Sequence, residues 1–83
     1  VKLHLRYFAS LREALGEGET LEFEPGCTLG QLRDQLLARG GRHAEVLARG
    51  RAVRAAVNQV MAEESQTLAD GAEVAFFPPV TGG

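Results

Sequence analysis

What the sequence has too little of sets the first limits. It has one cysteine, Cys27, so no disulfide can form within the chain; a lone thiol fits a reducing cytoplasm, which is the expected location. No uninterrupted apolar run approaches the ~20 residues that a membrane-spanning helix needs. The apolar start at Val1 is broken at once by Lys2, His4 and Arg6, so a soluble chain with no export signal and no membrane partner is expected. His4 and His43 stand alone, and no pair of Cys, His or carboxylate side chains has metal-ligand spacing, so neither a metal nor a cofactor is expected. Gly40-Gly41 lacks the glycine fingerprint and the Lys-Ser/Thr of a phosphate loop and reads as a helix stop. Nine basic residues against eleven acidic ones give a net charge of −2, with no general attraction to phosphate backbones, so nucleic acid is not an expected partner.

What is present fits one small domain, because 83 residues offer too little apolar area for two cores. Val1, Leu3, Leu5 and Tyr7 alternate with Lys2, His4 and Arg6, the pattern of a half-buried strand, and Phe8 then falls on the polar side. Ser10-Leu11-Arg12-Glu13 has capping-box spacing and predicts a short helix to Leu15, stopped at Gly16. Glu19 to Glu24 alternates again and ends at the turn Pro25-Gly26, giving a second strand paired with the first. Thr28-Leu29-Gly30-Gln31 repeats the capping-box spacing, and Leu29, Leu32, Leu36 and Leu37 recur at helical intervals: this is the main helix, its leucine face on the sheet. Ala44 to Ala48 adds a turn of helix. Arg51 to Met61, with Val53, Val57 and Val60, reads as a strand, and Glu73 to Phe77 as another after the turn Asp70-Gly71. The order predicts an α+β fold, one sheet covered on one face by the helix. Arg39, Arg42, Arg49, Arg51 and Arg54, and likewise Glu13, Glu17, Glu19, Glu22 and Glu24, read as solvated faces.

Side-chain catalysis finds little support. Cys27 precedes a predicted helix, where a thiol pKa can be lowered, but it has no partner nearby in sequence and reads as a small turn-packing residue. The tail Pro78-Pro79-Val80-Thr81-Gly82-Gly83 is different, because paired prolines cannot donate to a sheet and favour an extended course away from the domain. The expected division is a domain at 1–77 and a tail at 78–83. Two glycines could let the chain end enter a narrow channel, making the α-carboxylate of Gly83 the reactive group. From the glycines alone, an ordinary mobile end is the better reading.

The run from Leu68 to Gly83, with its Phe76-Phe77-Pro78-Pro79 lead-in to the diglycine, closely resembles the carboxyl end of the small, ubiquitin-like sulfur-carrier subunits of molybdopterin synthase. Leu5-Arg6-Tyr7-Phe8-Ala9-Ser10-Leu11-Arg12-Glu13 and Ala56-Val57-Asn58-Gln59 resemble the same family at matching places. The resemblance implies a β-grasp fold, a mixed sheet packed on one main helix. It implies that an ATP-dependent, E1-like activating enzyme adenylates Gly83 and that a sulfur donor protein converts it to a thiocarboxylate. It further implies that the tail, Pro78 to Gly83, enters the large synthase subunit and gives sulfur to cyclic pyranopterin monophosphate, within a heterotetramer. The chain would then be a sulfur-donating subunit without catalytic side chains of its own. A ubiquitin-like protein modifier, and a carrier serving thiazole or tRNA thiolation, are the rival readings.

Phe8 and Phe77 each fall on the side of their strand opposite the core residues. From the pattern alone, a docking surface and a bulge that turns the rings inward stand evenly. The resemblance favours docking and adds Met61 as a third apolar contact, its flexible thioether suited to two alternating partners.

Overall fold

The computed structural model describes residues 1–79. The elements in chain order are β1 (Lys2–Tyr7), α1 (Ser10–Leu15), β2 (Gly18–Glu22), α2 (Leu29–Leu37), α3 (Gly41–Leu47), β3 (Arg54–Val57), β4 (Val60–Met61) and β5 (Glu73–Phe77). The strands form one mixed sheet of order β2-β1-β5-β3-β4, in which β1 and β5 are parallel and the other pairs antiparallel. This is the α+β arrangement the pattern predicts, with β5, last in sequence, at the centre.

Alternation decides which side of the sheet is dry. Leu3, Leu5 and Tyr7 of β1 and Val74 and Phe76 of β5 are buried and meet Leu29, Leu32 and Leu36 of α2, with Leu11, Leu47 and Leu68 closing the edges. The Tyr7 and Phe76 rings stack with centroids 6.2 Å apart, because the parallel register sets those two residues side by side. Cys27 is buried in the same cluster, in its expected packing role.

The two predicted capping boxes fare differently. Thr28 caps α2 as expected: its hydroxyl accepts from the Gln31 amide at 3.2 Å, and the Gln31 side chain accepts from the Thr28 amide at 2.9 Å. Ser10, however, is already inside α1, and the cap position is Ala9, which makes no side-chain bond. The Phe8 amide donates to the Phe76 carbonyl at 3.1 Å, so the chain stays tied to β5 until Phe8 and must reverse over one residue. Ala9 accomplishes this at φ 53°, a region that side chains rarely adopt.

The stretch Arg51 to Met61 is a hairpin rather than one strand. Asn58 and Gln59 both have positive φ, 50° and 69°, which is the requirement of a two-residue turn that follows the sheet's twist. The Asn58 side chain accepts from the Glu73 amide at 3.0 Å while its own amide donates to the Glu73 carbonyl at 2.8 Å, fastening the hairpin to the start of β5. The second strand begins at Gly18, where an added Cβ would lie 2.1 Å from the Leu5 carbonyl oxygen, so only glycine lets β2 approach β1 there.

One charged residue belongs to the interior. Arg33 is 8% exposed; its Nε donates to the Leu47 carbonyl at 2.7 Å, one terminal nitrogen to the Ala48 carbonyl at 2.9 Å, and the other to Glu64 at 3.3 Å. Glu64 also holds Arg49, which reaches Asp34 and the Gly30 carbonyl. These bonds satisfy the carbonyls at the end of α3 and clamp the following loop to α2. Arg33→Met keeps the apolar stem but strips two buried carbonyls of their donor and Glu64 of a partner. It is expected to lower the unfolding free energy by about 3 kcal/mol in urea titrations. A loss under about 1 kcal/mol would mean that water replaces the guanidinium without difficulty.

Candidate functional site: the open face of the sheet

The helices cover one face of the sheet. On the other, the cross-strand registers bring a set of apolar residues together at the end where β5 finishes. Phe77 stands opposite Arg54, Ala75 opposite both Ala56 and Arg6, and Ala56 opposite Met61. Phe8 follows directly on Tyr7, which is in register with Phe76, and so lies beside Phe77. Phe8 is 38% exposed and Met61 57%, unusual for such large apolar side chains with a core nearby, while Phe77 is half-buried. The chain passes from Phe77 into Pro78 and Pro79, both half-buried and outside any strand, at this same end.

Phe8, Met61 and Phe77 therefore share one face, and no bulge turns the Phe8 ring or the Met61 thioether inward. The small side chains of Ala56 and Ala75 between them leave a low shelf rather than a ridge. The Arg6 guanidinium carbon sits 5.3 Å from the centroid of the Phe8 ring, a cation–π contact that restrains an otherwise free ring. Val60 is 68% exposed at the tip of the hairpin; in the sequence its place in an apparent single strand conceals the turn that exposes it.

Of the tail, Pro78 and Pro79 are placed as described. Val80, Thr81, Gly82 and Gly83, with the expected division at 78–83, lie outside the described residues. Among the described residues, no group of three or more His, Cys, Asp or Glu side chains could hold a metal ion, and no helix is long and apolar enough to cross a membrane.

The titratable groups that stand out lie away from the open face and brace the fold. Burial, reinforced by the Glu19 carboxylate 3.5 Å from its hydroxyl, pushes the Tyr7 phenol up to about 12. Arg39 holds Glu19 by two bonds of 2.7 and 2.8 Å, and its guanidinium keeps that carboxyl below the usual range. Arg49 does the same to Glu64. These pairs replace the wholly solvated charge runs that the sequence suggests.

The parallel placement of the last strand beside the first, one helix across the sheet and an apolar face at the root of a proline-led tail define a β-grasp protein of the ubiquitin-like class. The ThiS family model matches residues 5–83, and the chain belongs to that family. It is 43% identical over 77 residues to the molybdopterin synthase sulfur carrier subunit of Escherichia coli, covering 93% of this chain and 94% of that one. It is 41% identical to the protein of the same name from Mycobacterium tuberculosis, covering 100% and 99%. The crystal structure of SAMP1 from Haloferax volcanii superposes with a TM-score of 0.79 at 25% identity, over the whole of both chains.

Glu19 and Glu64 have folded pKa values below their ordinary 4.5, so the native state binds fewer protons than the unfolded chain in that range. Their contribution is complete above the unfolded value and is lost as pH falls through the folded values. Melting temperature is expected to decline below about pH 4.5, and Glu19→Gln with Glu64→Gln should flatten that decline. Both carboxylates are part-exposed, so each pair accounts for about 1 kcal/mol or less. A pH-melting series identical in wild type and double variant would exclude them as the source of acid sensitivity.

Proposed function

We propose that the chain is the sulfur carrier subunit of a molybdopterin synthase. The observation that carries this reading is the apolar set Phe8, Met61 and Phe77, gathered where β5 runs into Pro78-Pro79, in a chain whose sequence ends Gly82-Gly83 and whose curated relatives bear that name. The open face docks on the large synthase subunit, and the six residues after Phe77 can span at most about 20 Å of extended chain from the docked domain. No nucleophile, acid–base pair or metal is needed from the domain itself. The large subunit supplies the pocket and this chain supplies the atom transferred.

The chemistry rests on the Gly83 carboxyl. A carboxylate is a poor acyl donor; attack of its oxygen on ATP by way of an activating enzyme gives an acyl-adenylate with release of pyrophosphate. Sulfide equivalent from a donor protein then displaces AMP and leaves a thiocarboxylate. In the large subunit that sulfur passes to cyclic pyranopterin monophosphate and the carboxylate returns, so two loaded chains are consumed per dithiolene. Thr81 and Val80 lead into the channel, and Gly82 and Gly83 occupy its narrowest part.

Intact mass after incubation with activating enzyme, ATP and a sulfur source is expected to rise by about 16 Da, the exchange of one oxygen for sulfur at the terminus. A chain lacking Gly83 should show no such gain and no product with the large subunit, yet bind it as wild type does. The loss is one residue of reach, about 3.3–3.6 Å, and withdraws the acyl carbon from contact geometry. Transfer that survives this deletion would remove the terminal carboxylate as the sulfur site. A ladder of conjugates on denaturing gels of cell extract would point instead to a protein modifier.

Phe8→Ala and Met61→Ala are expected to weaken large-subunit binding by about 2 kcal/mol each, roughly thirtyfold, with melting temperature nearly unchanged. Phe77→Ala should weaken binding similarly but also lower stability by about 1 kcal/mol, since Phe77 is less exposed than Phe8 or Met61. Calorimetric titration and thermal melts of the three variants separate these effects. Unaltered affinity with lowered melting temperature would return the rings to the core.

A further inference from the structure

Charge is unevenly distributed on the open face. Away from the tail, Lys2 stands opposite Glu22 and His4 opposite Glu73, so each acid there has a basic neighbour across the strands. At the tail end the pattern changes. Arg6 has Gly18 on one side and Ala75 on the other, and Arg54 stands opposite Phe77. Both arginines are exposed, and among the described residues neither forms an ion pair. Because β1 and β3 are the two neighbours of β5, the two guanidinium groups flank the strand that leads into Pro78. A chain of net charge −2 thus presents a local cationic edge around its largest exposed aromatic ring.

We propose that Arg6 and Arg54 select the partner: the face of the large subunit that covers Phe8, Met61 and Phe77 presents carboxylates on either side of an apolar hollow. The inference rests on the docking reading above. Covering Phe8 necessarily brings the partner against the Arg6 guanidinium stacked on its ring. A charge desolvated there without a counter-charge would oppose binding, whereas a carboxylate opposite it both compensates and attracts at a distance. A basic partner surface would be repelled by the same pair. Two arginines separated by the width of β5 also fix the orientation in which the domain lands, which matters because the tail must begin on the correct side of the interface.

The experiment measures association and dissociation rates of purified large subunit with the full chain at low and high salt, about 0.05 and 0.5 M. Arg6→Gln with Arg54→Gln is expected to slow association about tenfold at low salt and to flatten its salt dependence, with dissociation changing much less. Arg6→Lys should retain most of the rate, since it keeps the charge. The control is Arg42→Gln with Arg51→Gln, which removes the same charge from exposed positions off this face and should leave the rates near wild type. Equal slowing by the control pair, an unchanged rate in the Arg6/Arg54 double variant, or a faster one, as a basic partner would give, each overturns the proposal. Phe8→Ala on the same instrument keeps the two readings apart. If it loses affinity while the arginine variants behave as wild type, docking stands and the acidic partner surface falls; if it binds as wild type, the docking reading itself falls.

Discussion

The parallel pairing of β1 with β5 is the constraint from which the rest of the structure follows. Two parallel strands cannot be joined by a tight turn; the chain between them must cross the sheet and return. Here the crossing is made by α2 and α3 and the β3–β4 hairpin, and α2 covers the core face on the way. The same pairing makes β1 and β5 end at the same edge of the sheet. Phe8 and Phe77, nearly seventy positions apart in sequence, become neighbours for that reason alone. Had the strands run antiparallel, the tail would leave from the edge opposite Phe8, and the proposed docking surface and the tail would lie on opposite sides of the domain.

A sheet with one dry face imposes a strict division of labour on successive residues. In β5, Val74 and Phe76 face the helix while Ala75 and Phe77 face outward, and the register carries that division to Ala56 and Met61 two strands away. A one-residue slip would bury Phe77 and expose Phe76. The interactions that hold register therefore decide which aromatic ring the open face presents. Among them are the two bonds between Asn58 and Glu73 and the close approach at Gly18.

Strict alternation made β1 and β5 legible from sequence, and with them the two aromatic rings that break the core pattern. The main helix was legible from leucine spacing and from a cap whose two members are close in the chain. The failures have one physical cause, which is that the deciding partner is distant in sequence. Ser10 and Glu13 have the spacing of a capping box, yet the Phe8 amide is committed to Phe76, and the chain turns at Ala9 instead. The turn at Asn58-Gln59 carries no glycine to announce it, and the side-chain bond that helps it tolerate positive φ goes to Glu73. Nothing beside Arg33 in the sequence marks it as buried, because the carbonyls that bury it belong to the end of α3. The terminal glycines were legible only as a motif, since the chemistry proposed for them would be done by enzymes outside the chain and leaves no trace in its packing pattern.

Inside and along the helical side, arginines are consumed: Arg33 by two carbonyls and Glu64, Arg39 by Glu19, Arg49 by Asp34 and Glu64. A guanidinium so engaged has little left to offer a partner, because its donors are directed inward and its charge is compensated at contact distance. Arg6 stands on the open face, and Arg54 shares a surface hollow with Glu63 and Glu64 yet pairs with neither among the described residues. The partners of these two arginines in the β1–β2, β1–β5 and β3–β5 registers are glycine, alanine and phenylalanine, which neither accept hydrogen bonds from side chains nor cancel charge. Fold-holding charge is thus compensated at contact distance while the charge of Arg6 and Arg54 is left unpaired among the described residues, so those two positions can change without breaking an ion pair that holds the fold.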